Sequence, residues 1–179
     1  VEAVKWYRRS ADQGNSIAQV ILGNAYYFGD GVEKDYVEAV KWYRKPADQG
    51  NSGAQYFLGN AYYKGNGVEK DYVEAMKWWR RSADQGNSGA QVSLGAAYCN
   101  GYGVEKDYAE AVKWWRKSAD QGNADAQSRL GIMYEIGQGV EKDYAEAYAY
   151  YNIAAAKGGE NALKYRDILE KQMSPQQIG

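Results

Sequence analysis

The chain repeats itself with a step of 36 residues, and that period limits its fold more than any other feature. Ala39, Ala75, Ala111 and Ala147 keep the step, as do Gly14, Gly50, Gly86, Gly122 and Gly158. The dipeptides Leu22-Gly23, Leu58-Gly59, Leu94-Gly95 and Leu130-Gly131 follow the same spacing. A period of this length holds one supersecondary unit and is too short for a domain. Each unit can bury its apolar side only by stacking on its neighbours, so the pattern predicts a solenoid.

One period predicts two short helices. The first opens at Asp71 with Glu74 three residues on, an N-cap pair that returns as Asp35/Glu38, Asp107/Glu110 and Asp143/Glu146. On a helical wheel Ala39, Val40, Trp42, Tyr43 and Ala47 gather in one arc. Lys41, Arg44, Lys45 and Asp48 fill the other, which predicts a solvated charged face. The helix should stop at Gly50, Gly86 or Gly122, because glycine takes a left-handed C′ position most easily.

The second helix carries the Leu-Gly pair. Ser16-Ile17-Ala18-Gln19, Ser52-Gly53-Ala54-Gln55 and Ser88-Gly89-Ala90-Gln91 read as Ser-x-x-Gln capping boxes. Ala54, Leu58, Ala61 and Tyr62 then fall on one helical face. Gly59 lowers helix propensity by ~1 kcal/mol relative to alanine. Its recurrence predicts that another backbone passes too close there for a Cβ. Gly65 and Gly67 bracket the return turn, and Val68 is expected to plug the gap between units.

The landmarks Ala54, Leu58, Gly59, Tyr62, Gly65, Gly67, Val68, Asp71, Ala75, Trp78, Trp79, Ala83 and Gly86, in that order, resemble the Sel1-like repeat family. The resemblance covers nearly the whole chain. It implies an all-α, right-handed α/α superhelix of about five helix-turn-helix repeats, related to tetratricopeptide repeats and used as an adaptor for protein complexes. It also implies a bacterial setting, often with export. A tetratricopeptide unit has about 34 residues and lacks the Gly-x-Gly-Val loop. Residues 1–179 are expected to form one domain with units near 1–34, 35–70, 71–106, 107–142 and 143–172. Ala3, Trp6 and Tyr7 match Ala39, Trp42 and Tyr43, so the chain starts in mid-repeat and both ends read as truncated.

Composition excludes several chemistries. The chain has no histidine, which removes the usual general base and the commonest metal ligand. Its one cysteine, Cys99, allows no intrachain disulfide and no Cys-x-x-Cys site. No catalytic residue, metal or cofactor is expected, and the chain reads as a non-enzyme. Some family relatives are cysteine-rich and linked to penicillin binding, but this chain lacks their cysteines. A net charge of −1 argues against nucleic acid, and no apolar run is long enough to insert in a membrane.

Two places depart from the pattern. Pro46 stands where Ser10, Ser82 and Ser118 stand in other copies, and it removes an N–H that would bond the Trp42 carbonyl. The last copy has lost the Leu-Gly pair, and its final helix, from Glu160 to Gln172, reads as a cap with a more polar outer side. Ser174-Pro175-Gln176-Gln177 reads as the start of one further helix.

Where the copies agree, packing explains the agreement, so their differences point to function. On the second helix the positions that vary are 20/56/92/128, 24/60/96/132 and 27/63/99/135. Tyrosine beside asparagine suits a recognition surface, and in related solenoids this helix lines the concave side. The expected site is a groove centred on Tyr27, Tyr56, Asn60 and Tyr63, flanked by Asn24 and Lys64, that binds a protein or peptide. The alternatives are a structural spacer or self-associating repeat, and an enzyme-like or cell-wall-ligand binder.

Overall fold

The structure, a computed structural model, describes residues 2–174. Ten α-helices and no strand occur among the described residues: α1 Glu2–Asp12, α2 Ser16–Phe28, α3 Tyr36–Asp48, α4 Ser52–Lys64, α5 Tyr72–Asp84, α6 Ser88–Asn100, α7 Tyr108–Asp120, α8 Ala124–Ile136, α9 Tyr144–Ala156 and α10 Glu160–Glu170. The fold is the all-α tandem-repeat class the period predicts, with the Trp/Tyr helices odd-numbered and the Leu-Gly helices even-numbered. The chain forms two compact units, divided between Ala90 and Gln91.

In the first unit the core joins Ala39, Val40, Tyr43 and Ala47 of α3 to Ala54, Leu58 and Ala61 of α4, with Trp78 of α5 beside them. Val68 packs on this cluster, as its place in the sequence predicts. In the second unit Ala111, Val112, Trp115 and Ala119 of α7 meet Ala126, Leu130 and Met133 of α8. A further cluster joins Ala147 and Tyr151 to Leu169 and Met173.

Local chemistry sets the helix ends. Asp35 and Asp71 accept from the N–H groups two and three residues on, and Asp107 accepts from Glu110 N–H. The glutamates of these pairs carry the next turn: Glu38 binds Lys41, and Glu74 binds Lys77 at 2.5 Å. Gly50 and Gly86 take φ of +94° and +89° at the predicted stops. The even helices are capped one residue earlier than the Ser-x-x-Gln reading places them. Asn15, Asn51 and Asn123 are the N-caps, each accepting from the N–H three residues on. The glutamine, no longer needed at the cap, ties two helices together. Gln55, buried, donates from Nε2 to the Ala47 carbonyl of the preceding helix at 3.0 Å.

The recurrent glycine of the Leu-Gly pair also differs from expectation. A Cβ on Gly59 would lie 2.5 Å from Cδ1 of Trp79, and one on Gly131 the same distance from the Tyr151 ring. The close neighbour is therefore an aromatic side chain of the next odd helix. The backbone approach occurs in the loop, where Gly67, at φ +76°, sits against the Tyr36 carbonyl.

Helix α3 runs through Pro46 to Asp48, with the ring fully buried. The serine at the equivalent place, Ser82, donates to the Ser52 carbonyl at 2.7 Å, a tie between helices that proline cannot make. The outer side of α10 is less polar than the sequence suggests: Leu163, Tyr165 and Ile168 are all exposed. The helix expected after Ser174 falls on 175–179, outside the described residues.

Candidate protein-interaction face

The varying positions of the even helices prove to be tied to the buried rings of the odd ones. Tyr43, fully buried, donates from its hydroxyl to Asn24 Oδ1 at 2.7 Å. Trp79 donates from Nε1 to Asn60 Oδ1 at 3.0 Å. Position 96 is alanine, and Trp115 Nε1 there donates to the Val92 carbonyl at 3.1 Å. Position 132 is isoleucine, and Tyr151 donates to Glu135 Oε2 at 2.6 Å. A buried donor left unpaired costs about 1–3 kcal/mol, and each ring finds an acceptor on its even helix, whether or not asparagine stands at the varying position. Asn24 and Asn60 thus answer to packing as well as to the surface, which the variation among copies hides.

Burial pushes the Tyr43 hydroxyl far above the ordinary phenol range. Tyr151 moves the same way, first through burial and then through its bond to Glu135.

The tyrosines of the predicted groove are half-buried. Tyr27 packs edge-on against Phe28 and Tyr36, each at 5.0 Å between ring centroids. Its hydroxyl accepts from Asn66 Nδ2 at 3.0 Å and from Lys64 Nζ at 3.5 Å, which brings Lys64 and Tyr27 together across two repeats. Tyr63 lies 5.5 Å from Tyr72 and 5.4 Å from Trp79. Tyr56 rests on Phe57 at 5.4 Å. Phe28, 58% exposed, lies at the edge of this belt, and the sequence gives no sign of it because its counterparts in other copies are not aromatic. Lys34, beside Tyr36, stands 4.9 Å from that ring, and the same pairing returns at Lys70 and Tyr72.

The charged face of the odd helices is not wholly solvated. Arg44 donates to the Tyr62 hydroxyl at 2.7 Å and lies over its ring, and Arg116 does the same to Tyr134. Cys99 is half-buried against the core of the second unit, and burial pushes its thiol up despite the opposing pull of Arg129 and Lys106. A raised thiol pKa makes an unreactive cysteine at neutral pH. Among the described residues no group of metal-ligating side chains comes together, and no helix is long and apolar enough to cross a membrane.

Helical hairpins in tandem, joined by ring-to-helix hydrogen bonds and carrying a belt of tyrosines, define an α-helical repeat scaffold. The chain belongs to the Sel1 repeat family, whose profile matches residues 1–15, 16–51, 52–87, 88–123 and 124–159. Members of this family are generally non-enzymatic scaffolds for protein interaction. The chain is similar to a protective antigen of uropathogenic Escherichia coli strains displaying an SLR fold, at 43% identity and a TM-score of 0.87 over 92% of this chain and 35% of that one. It is similar to a Sel1 repeat protein from Oxalobacter formigenes at 41% identity and a TM-score of 0.86, covering 92% of this chain and 67% of the other. An immunity protein from Pseudomonas aeruginosa follows at 28% identity and a TM-score of 0.64, over 89% of this chain and 59% of that one. The chain thus spans about a third of the Escherichia coli protein. No curated protein matches it.

Proposed function

We propose that the chain is a protein-interaction scaffold that binds a peptide segment or protein surface along the even-helix face around Tyr27, Tyr56, Asn60 and Tyr63, with Asn24 and Lys64 at its margin. The observation that carries this reading is the half-buried tyrosine belt braced from beneath by rings and amides. Tyr27 is fixed by Phe28, Tyr36, Asn66 and Lys64, so it offers contact area with little entropy left to lose. Asn24 and Asn60 have their Oδ1 atoms engaged by Tyr43 and Trp79, which leaves the amide nitrogens to donate to a partner's backbone carbonyls.

The test is the triple substitution Tyr27→Ala, Tyr56→Ala, Tyr63→Ala, used as bait beside the unaltered protein in its native cell extract. Loss of a hot-spot tyrosine weakens binding by about 30-fold or more, so a specific partner should vanish from the variant. Unchanged capture by a variant that keeps its helicity would remove this face from consideration.

The self-association reading draws on α1, where Trp6 is 64% exposed and Tyr7 39%. Against it, α10 carries Arg166 and Asp167 where other even helices have leucine and glycine, so it has no notch for the Tyr7 ring. Growth of the scattering mass with concentration would favour this reading over the first.

A further inference from the structure

The second unit contains a cavity lined by two of the varying even-helix positions, 128 and 132, and by none of the residues of the Tyr27 site. It lies between α8 and α10, with a volume near 460 Å³, and its walls include Ser128, Arg129, Ile132, Asn161 and Tyr165. One of its lining positions differs sharply from its counterpart in the first unit. In the first unit the equivalent of Ser128 is Tyr56, whose ring lies so close to α6 that a Cβ on Gly89 would sit 3.0 Å from its Cζ. Ser128 is too short to cross and turns its hydroxyl back to the Ala124 carbonyl at 2.9 Å. The residue facing it in place of Gly89 is Asn161.

We infer that this cavity takes an aromatic side chain, tyrosine above all, from a partner polypeptide. The first argument is the fit already seen within the chain, where a tyrosine ring occupies the corresponding place between even helices. The second is the lining. Ile132 and Ala162 supply an apolar floor, and Arg129 and Asn161 supply donors at the rim, a combination that suits a ring with a polar tip. The third is order. Arg129 donates from Nε to Asp125 at 3.1 Å and its guanidinium lies 5.6 Å from the Trp115 ring centroid, while Tyr165 packs on Tyr151 at 5.6 Å. These walls are held before any ligand arrives, which lowers the entropy lost on binding. The Arg129–Asp125 pair also balances its own charge, so the site has little to gain from a charged ligand. The inference is independent of the Tyr27 face, because its residues all lie in the second unit.

N-acetyl-L-tyrosinamide is the probe. Titrated into the protein and followed by NMR, it should shift the Ile132 methyl and the Asn161 side-chain amide saturably, with a Kd on the order of 1 mM for so small a ligand. N-acetyl-L-leucinamide should bind more weakly at the same signals. Ser128→Tyr, which restores the Tyr56 arrangement, should weaken the probe by about 10-fold or more as the ring fills the space. Ser128→Val, the residue found at positions 20 and 92, is the second variant and should weaken it to a smaller degree while keeping the thermal midpoint. Shifts that stay linear with concentration, or probe binding equally strong in both variants, would overturn the inference.

Discussion

Asn24 and Asn60 show how one residue serves two demands. Each holds the donor of a buried ring, and each reaches the face on which a partner is proposed to lie. The glycine that precedes each of them is set by the same ring. In an isolated helix Gly59→Ala would add about 1 kcal/mol of stability. Here the new Cβ would meet the buried Trp79 ring at 2.5 Å, so the indole or α4 must shift within a packed seam. Overpacking of this kind costs about 1–3 kcal/mol. Gly59→Ala should therefore lower the thermal midpoint by roughly 2–10 °C, as read by circular dichroism; a rise would show that the seam is loose. The sequence already marks Gly59 as a close approach through its recurrence. It cannot tell a backbone from a ring, because both exclude a Cβ and both recur with the repeat.

At the scale of the element, the helices begin where aspartate or asparagine accepts from the first turn and end at glycine, so their bounds follow from side chains within a few residues. Aspartate caps are plain in the sequence. The asparagine caps are obscured by the serine that follows them, which is an equally good acceptor by type. Only the chain path, with Gly14 or Gly50 in the left-handed region just before, puts asparagine at the cap. Pro46 is the local exception. Its ring is accommodated in α3, yet the helix forgoes one backbone hydrogen bond and the inter-helix tie that Ser82 makes to Ser52. Pro46→Ser should restore both, the second to the Ser16 carbonyl, and raise the midpoint by several degrees, given that an interior proline costs up to about 3 kcal/mol. A lower midpoint in differential scanning calorimetry would show that α3 has adapted to proline.

Across the whole molecule, each compact unit contains a buried phenol with a strongly raised pKa, Tyr43 in the first and Tyr151 in the second. An unfolded tyrosine ionises near pH ~10, whereas these two keep their protons in the fold. The folded state then binds more protons than the unfolded one, so their contribution is complete below pH ~10 and declines as pH rises above it. Tyrosinate absorbance should accordingly keep a component, from Tyr43 and Tyr151, that rises only as helicity is lost. Reversible ionisation of all 18 with the helices intact would contradict the burial of these rings.

The period, the alternation of two helix types, the aspartate caps and the left-handed glycines are determined by the sequence alone, because each depends on residues close together in the chain or on their recurrence. Tertiary structure decided which groups meet across helices: Tyr43 with Asn24, Gln55 with Ala47, Lys64 with Tyr27, and the open space beside Ser128. The physical reason is distance along the chain. Partners 19 or 37 residues apart lie on different helices, so neither residue alone names the group it meets, and a cavity depends on the reach of one side chain toward a helix that the local sequence does not specify.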